Sequence, residues 1–297
     1  MLMQMIDVLG PIAIITAIGY LMGRSSAGLE TRSLSNLTLM VATPALIFHT
    51  LTSLHIQPET LQLMSGAAFL CIAVAGAFGF LALLAAGGPI RSFLPPLALP
   101  NSGNLGLPLV LLAFGAEGLQ LGIAYFFVVA LVQHSLGLSI YAGKMKLSVM
   151  LRQPLIYSVI AVLVVTWTDV QVPNIIMTTT EMLGSMMIPA MLILLGASLA
   201  TLQIADLRPA VLMAFGRLTI GIVSAAIVIW LLEFDGIVAG TVFLMATMPT
   251  AIVNYIYAER YQHDARKVAG SVVASTLLTF LCLPALLWCA FALAQVP

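Results

Sequence analysis

Long apolar stretches recur along the whole sequence and limit the folds open to it. Charged residues make up 7% of the 297 residues and hydrophobic residues 61%, whereas about a quarter of the residues in a soluble domain are charged. A helix needs about 20 residues to cross the hydrocarbon core of a bilayer, and runs near that length follow one another with short polar breaks. Because lipid offers the backbone no hydrogen bonds, such runs must be helical. The sequence therefore predicts an all-α polytopic membrane protein.

These runs predict ten membrane-crossing helices, which we call spans 1 to 10. In chain order they cover residues 6–23, 33–54, 61–86, 90–116, 119–142, 154–168, 175–201, 207–232, 235–260 and 266–294. Span 6 is short, and spans 4 and 9 are interrupted by the stretches NSGNLGLP (101–108) and MPTAIVN (248–254). Only short loops connect the spans, so we expect no separate soluble domain.

Charged residues separate onto the two sides of the predicted bundle. Basic residues lie in or beside the loops after odd-numbered spans: Arg24, Arg32, Arg91, Lys144, Lys146, Arg152, Arg208, Arg260, Arg266 and Lys267. The loops after even-numbered spans instead hold Glu59, Glu117, Asp169, Glu233 and Asp235. By the positive-inside rule, the basic loops face the cytoplasm and both termini lie outside. Arg217 sits deeper, in span 8, where we expect its side chain to snorkel or to draw anions toward the cytoplasmic mouth.

A weak internal repeat emerges when the sequence is compared with itself. At a shift of about 145 residues, TPALIFHTLTSL meets IPAMLILLGASL, GPIAII falls near QPLIYS, and the two interrupted stretches overlap. The repeat divides the chain into five-span halves at 1–144 and 145–297, joined by the basic linker 143–153. Because each half has an odd number of spans, the second half must enter the membrane upside down. We therefore predict two inverted five-helix repeats, an arrangement typical of secondary transporters.

The two interruptions are unfavourable in a continuous helix. A proline in a helix interior costs about 3 kcal/mol and a glycine about 1 kcal/mol; span 4 contains Gly103, Gly106 and Pro108, and span 9 contains Pro249. Unwound backbone at membrane depth is tolerated only where it is buried in protein or lines a polar cavity. We expect the two breaks to meet near the bilayer centre, with Pro108 and Pro249 in the first turn of each outgoing half-helix.

Side chains in the breaks are suited to binding an anion. The start of each outgoing half-helix offers free N–H groups and the positive end of a helix dipole. Asn101, Asn104 and Asn254 can donate to a carboxylate, and Thr250 is a fourth candidate in the second break. We predict that these four residues contact a substrate.

Other polar side chains beside the breaks leave several interpretations open. His134, which follows Gln133 in span 5, is a candidate proton carrier or a neutral histidine hydrogen-bonded between helices. Tyr255 is a candidate substrate contact or a packing residue. The spans contain no paired aspartates and no H-E-x-x-H or G-x-S-x-G motif, and the three cysteines lack metal-ligand spacing. With no basic run either, we expect no catalytic, metal, cofactor or nucleic-acid site.

The stretches NSGNLGLPL in span 4, MPTAIVNYIYAERY in span 9 and TPALIF in span 2 are similar to the auxin efflux carrier family. Its members include plant PIN auxin carriers and bacterial permeases for malate and malonate. The resemblance implies the fold of bile-acid symporters and sodium/proton antiporters, in which broken spans 4 and 9 cross. It also implies a scaffold of spans 1, 2, 6 and 7, often dimeric, and a moving transport domain of spans 3–5 and 8–10, in a bacterial inner membrane.

The resemblance further implies that Asn104 or Asn101, together with Asn254, lies at the substrate. Sodium-coupled relatives of that fold have an acidic residue at the span 9 break, and its absence here argues against sodium coupling. Sequence and resemblance together predict a secondary transporter that moves a small organic anion by alternating access, as a homodimer in the bilayer. A proton- or sodium-coupled symporter of the bile-acid type and a channel remain alternatives.

Overall fold

Helices account for nearly all of the described chain. The computed structural model describes residues 2–25, 29–53, 58–144, 154–168, 170–202 and 204–295, and these residues contain no β-strand. The helices are α1 (Leu2–Arg24), α2 (Thr31–Ser53), α3 (Pro58–Ala86), α4 (Ile90–Ala98), α5 (Ser102–Ala142), α6 (Pro154–Thr168), α7 (Asn174–Thr201), α8 (Leu207–Leu231), α9 (Gly236–Thr247), α10 (Val253–Arg260) and α11 (Ala265–Leu293).

Several of these helices have the length and composition of membrane spans. Within the described residues, α1, α2, α3, α5, α7, α8 and α11 are long and apolar enough to cross a bilayer, and α6 and α9 are shorter apolar helices. The prediction of an all-helical, multi-pass membrane protein is therefore confirmed. The count of ten spans in two inverted repeats stays a prediction. Most of the predicted linker, with Lys146 and Arg152, lies outside the described residues, as does Asp169.

The predicted spans and the observed helices differ most in the centre of the chain. Predicted span 4 begins as α4 and continues into α5, which also contains span 5. Within α5, Gly115 has φ 66° and ψ −151°, values outside the helical region, so the helix bends sharply there. Glycine adopts a positive φ without steric cost, which explains how one connected helix accommodates both predicted spans.

The helices pack into two groups. In the first group, α1 lies along the second half of α7, and the second half of α2 contacts α6 and the first half of α7. Backbone approach between α1 and α7 is close, because a Cβ added at Gly196 would collide with the carbonyl of Thr16. In the second group, α8 contacts α3, α4, α9 and α11, and α5 contacts α3 and α9. The start of α5 also contacts α7, so the two groups meet beside the first break.

Two prolines end the helices that lead into the breaks. A residue that precedes proline favours extended backbone over helical backbone. Leu99, before Pro100, has φ −103° and ψ 109°, and α4 stops at Ala98. Met248, before Pro249, has φ −59° and ψ 151°, and α9 stops at Thr247. Proline favours these two helix ends, but helices continue through the residues before Pro11, Pro95 and Pro284, so an X-Pro dipeptide alone does not end a helix.

Candidate functional site

The two non-helical stretches cross each other in antiparallel orientation. Pro100 and Thr250 form an isolated antiparallel bridge. On either side of it, the Asn101 N–H donates to the Pro249 carbonyl over 2.7 Å, and the Ala251 N–H donates to the Leu99 carbonyl over 3.4 Å. The bridged residues Pro100 and Thr250 are 150 positions apart, whereas the sequence comparison used a shift of about 145. An inverted repeat in which these two residues are equivalent would also make Asn104 equivalent to Asn254.

Four helix ends meet at this crossing. The helices α4 and α9 arrive with their C-termini, and α5 and α10 leave with their N-termini. A helix C-terminus carries the negative end of the helix dipole and free carbonyls, whereas an N-terminus carries the positive end and free N–H groups. The crossing therefore combines two negative and two positive helix ends in the interior of the second helix group.

Arg217 of α8 binds the negative ends. Its side chain is 1% exposed. Nε donates to the Met248 carbonyl over 3.1 Å, Nη1 donates to the Leu97 carbonyl over 2.9 Å, and Nη2 donates to the Ala246 carbonyl. The expectation that Arg217 snorkels toward the cytoplasm is wrong, because its guanidinium is buried between the C-termini of α4 and α9. The carbonyls that helix termination leaves free hold it there.

Polar side chains at the positive ends are buried without partners. Asn254, in the first turn of α10, is 0% exposed, and neither its amide nitrogen nor its amide oxygen has a hydrogen bond. The amide nitrogen of Asn101 and the hydroxyl of Ser102, both at the start of α5, are also buried and unpartnered. An unsatisfied buried polar group costs about 1–3 kcal/mol. We therefore take the starts of α5 and α10 as the candidate site for a polar ligand.

A family model described as membrane transport protein matches residues 138–288. The chain belongs to this family of membrane transporters. The predicted resemblance to the auxin efflux carriers is thereby confirmed, and the family is one of transporters rather than enzymes. The matched residues include Arg217, the second break and Asn254. A comparison with curated proteins finds no match.

Among the predicted site residues of the transporter, Asn101 and Asn254 lie buried at the crossing, and Asn104 is half-buried in the first turn of α5. Thr250 is fully buried, but its hydroxyl donates to the Pro96 carbonyl over 2.9 Å. Its N–H donates to Ser275 of α11 over 3.1 Å. Thr250 therefore connects the crossing to α4 and α11, with its hydroxyl proton already in use.

The residues predicted to break the helices differ in their positions. Pro108 is the second residue of the α-helical part of α5, Leu107–Val132, and so lies in a first turn as expected. Pro249 lies in the extended stretch, four residues before α10 begins, so the expectation is wrong for Pro249. Gly103 and Gly106 lie in a π-helical turn at the start of α5. A Cβ at Gly103 would lie 2.8 Å from the Phe126 ring, and one at Gly106 would lie 2.8 Å from Sδ of Met245. Both glycines permit close packing.

The three residues predicted as possible proton or substrate partners, Gln133, His134 and Tyr255, differ in burial and in hydrogen bonding. Gln133 is buried at the start of the π-helical turn Gln133–Gly137 of α5. His134 is half-buried, and its Nδ1 is hydrogen-bonded to the hydroxyl of Tyr257 on α10. Tyr255 donates to the exposed carboxylate of Glu259 on its own helix over 2.7 Å. His134 therefore contacts the second half of span 9. The hydroxyl of Tyr255 is bonded to Glu259 and not to the buried asparagines.

Two contributors to the crossing were missed from the sequence. Pro100 and Ser102 were not singled out, and only Pro100 has a local signal, because it follows the residue at which a helix ends. Arg217 was noticed as a deep basic residue, but its partners lie 31 and 120 positions away in sequence. Among the described residues, no group of three His, Cys, Asp or Glu side chains could hold a metal ion.

A large cavity lies elsewhere in the transporter. It measures about 990 Å³ and is lined mainly by apolar side chains of α8, α9 and α11, among them Trp230, Phe243 and Trp288. Trp230 is 79% exposed, which is expected for a lipid-facing surface. We assign the candidate site from the unpartnered polar groups at the crossing, since this cavity contains none of them.

Proposed function

We propose that this membrane transporter moves a small organic anion, a carboxylate, which binds at the crossing of the two breaks. The proposal depends on one observation: the amide nitrogens of Asn101 and Asn254 are buried without hydrogen-bond partners beside the starts of α5 and α10. Each amide nitrogen can donate two hydrogen bonds, and hydrogen bonds to an ionised acceptor are about twice as strong as neutral ones. A carboxylate would satisfy the donors that the protein leaves free.

The positive ends of α5 and α10 would supply the charge complement for this anion. The stretches 99–104 and 248–254 contain no charged side chain, so the attraction would come from helix dipoles and free backbone N–H groups. Asn104 is half-buried in the first turn of α5, and in an inverted repeat centred on the Pro100–Thr250 bridge it would be the counterpart of Asn254 and complete the donor set. Thr250 would support this site through its bond to Pro96.

We propose that ten spans form two inverted repeats around this site. Support comes from helix contacts in one half of the chain that have counterparts in the other half. Span 1 packs on span 7, and its counterpart span 6 packs on span 2. Likewise α3 packs on α4 in the first half, and α8 packs on α9 in the second. A twofold relation between the halves would account for both pairs, and inverted repeats of this kind place the substrate at their interface.

Alternating access would follow from movement between the two packing groups. The group of α1, α2, α6 and α7 would be the scaffold, and the group of α3–α5 and α8–α11 the transport domain. Apolar side chains of α1, such as Ile14 and Leu21, are exposed, and a homodimer through the scaffold would cover part of this surface. The charge asymmetry of the loops favours both termini outside, in a bacterial inner membrane.

Ligand binding is the direct test of the site. A ligand that binds only the folded state raises its melting temperature (Tm). We expect malonate, malate or indole-3-acetate to raise the Tm of the purified protein, whereas a neutral amide analogue of the same shape, such as malonamide, leaves it unchanged. An equal rise with acid and amide would contradict an anion site.

Counterflow in proteoliposomes distinguishes a transporter from a channel. Unlabelled substrate inside the vesicles should drive transient accumulation of labelled substrate above its external concentration. A channel only equilibrates the label, so the absence of counterflow with a binding carboxylate would contradict alternating access. A coupled symporter is distinguished by repeating the uptake with an imposed proton or sodium gradient.

A further inference from the structure

The guanidinium of Arg217 occupies a cage of backbone carbonyl oxygens. Its three nitrogen atoms donate to Leu97 near the end of α4, and to Ala246 and Met248 at the end of α9. The only salt bridge in the described residues joins Lys267 and Asp264, so no carboxylate is paired with this buried cation. Carbonyl dipoles at two helix C-termini therefore offset most of the free-energy cost of burying the charge of Arg217.

Cages of this type are the usual sites of small cations. Hard cations take oxygen ligands, backbone carbonyls among them, and in transporters with broken helices the C-terminal ends of half-helices coordinate the coupling ion. Here a covalently attached cation lies between two such C-terminal ends. We propose that Arg217 is a tethered counter-ion that replaces a coupling sodium ion, so that the crossing remains assembled without any ion from solution.

The packing of α8 is adapted to this position of Arg217. Gly221 is one turn further along the helix, and a Cβ there would lie 2.7 Å from the carbonyl oxygen of Ala246. A Cβ at Gly216, the preceding neighbour of Arg217, would lie 3.1 Å from Cδ2 of Leu97. The two glycines let the α8 backbone approach the ends of α4 and α9 closely enough for the guanidinium to reach both.

Arg217 acts on the anion site indirectly, as a positioning residue. Its bonds hold the ends of α4 and α9 together, and Asn101 and Asn254 follow a few residues after those ends. Its charge also balances the two negative helix ends, which would otherwise lie next to the ligand anion. Arg217 would hold the two helix ends together whichever substrate binds, so its role can be tested with no substrate present.

Cation rescue of Arg217→Ala tests the proposal. Removal of the side chain leaves the carbonyl cage empty, and the Tm of the variant should fall. Low-millimolar guanidinium chloride should then raise the Tm by several degrees, with saturation. Urea, the neutral analogue of guanidinium with a similar planar shape, should give no rise, and neither should choline chloride. Wild type and Arg208→Ala, an exposed arginine on the same helix, should show no rise with guanidinium.

Three outcomes would overturn the proposal: no rise with guanidinium, an equal rise with urea, or a rise of the same size in wild type. Wild-type Tm should also be identical in sodium and choline chloride, and a sodium-specific increase would overturn the replacement of sodium. If Arg217→Ala does not fold, Arg217→Lys and Arg217→Met serve instead. The lysine variant should keep a higher Tm than the methionine variant, and equal values would show that the charge is unimportant.

Discussion

Replacement of Asn254 by leucine should stabilise the empty transporter and abolish anion binding. The side chain is 0% exposed, and both amide atoms lack partners. An unsatisfied buried polar atom costs about 1–3 kcal/mol. Leucine has the same number of side-chain heavy atoms with the same branching at Cγ, buries apolar atoms instead and has the better helix propensity. We therefore expect Asn254→Leu to raise the free energy of unfolding by at least about 1 kcal/mol in the absence of ligand.

The same substitution removes a donor to the proposed carboxylate. A hydrogen bond to a charged group contributes about 1.5–3 kcal/mol, which corresponds to a loss of about 10- to 150-fold in affinity. Stability and binding should thus change in opposite directions. A residue that serves only the fold would not behave in this way, because its loss lowers stability and leaves an intact site elsewhere unaffected.

Thermal melting in detergent measures both quantities on one sample. Melting curves of wild type and Asn254→Leu are recorded with and without the carboxylate that gives the largest shift for wild type. The control is Asn36→Leu, at an exposed position of α2, which should change the free energy of unfolding by no more than about 0.5 kcal/mol and keep the ligand-induced shift. A variant that melts below wild type, or that binds the carboxylate with wild-type affinity, would refute the reasoning.

Three further predictions concern packing, orientation and coupling. Gly221→Ala places a Cβ 2.7 Å from a backbone oxygen at the end of α9 and should destabilise by about 1–3 kcal/mol, whereas Gly76→Ala, which has open space around it, should be neutral or stabilising in the same melting assay. A cysteine at Glu117 should react with an impermeant thiol reagent from outside and one at Lys267 should not; reversed labelling of intact cells would overturn the orientation. If His134 carries a coupling proton, His134→Gln should remove the dependence of uptake on a pH gradient, and gradient-driven uptake at the wild-type rate would return His134 to a packing role.

The class of the protein and the positions of its breaks were predictable from local sequence. Apolar runs of membrane length have one stable backbone conformation in lipid, so helices follow from composition alone. The breaks were predictable because proline, glycine and asparagine are unfavourable in a lipid-exposed helix. Pro108 lies in the first turn of the α-helical part of α5, as expected. The helices that lead into the breaks end before Pro100 and Pro249, where proline favours extended backbone in the residue before it.

The candidate site was predictable in residue type and only partly in detail. Asn101 and Asn254 were named from the sequence and are buried at the crossing. Thr250 was named with them, yet its hydroxyl is bonded to Pro96. Tyr255 is turned to Glu259. Polar side chains beside the same break thus differ in whether a hydrogen-bond partner lies within reach. The packing of neighbouring helices decides which side chains have such a partner.

The sequence by itself determined that this chain is a helical membrane protein, that two of its spans are interrupted, and which family it resembles. These features depend on residues close together in the chain and on the lipid solvent. The tertiary structure alone decided that the breaks pair at an offset of 150 residues and that Arg217 lies between two helix ends. Those contacts join residues 120 and 150 positions apart in the chain. Hydrogen bonds are short and directional, so only the packed arrangement of the helices selects which groups find partners and which remain free for a ligand.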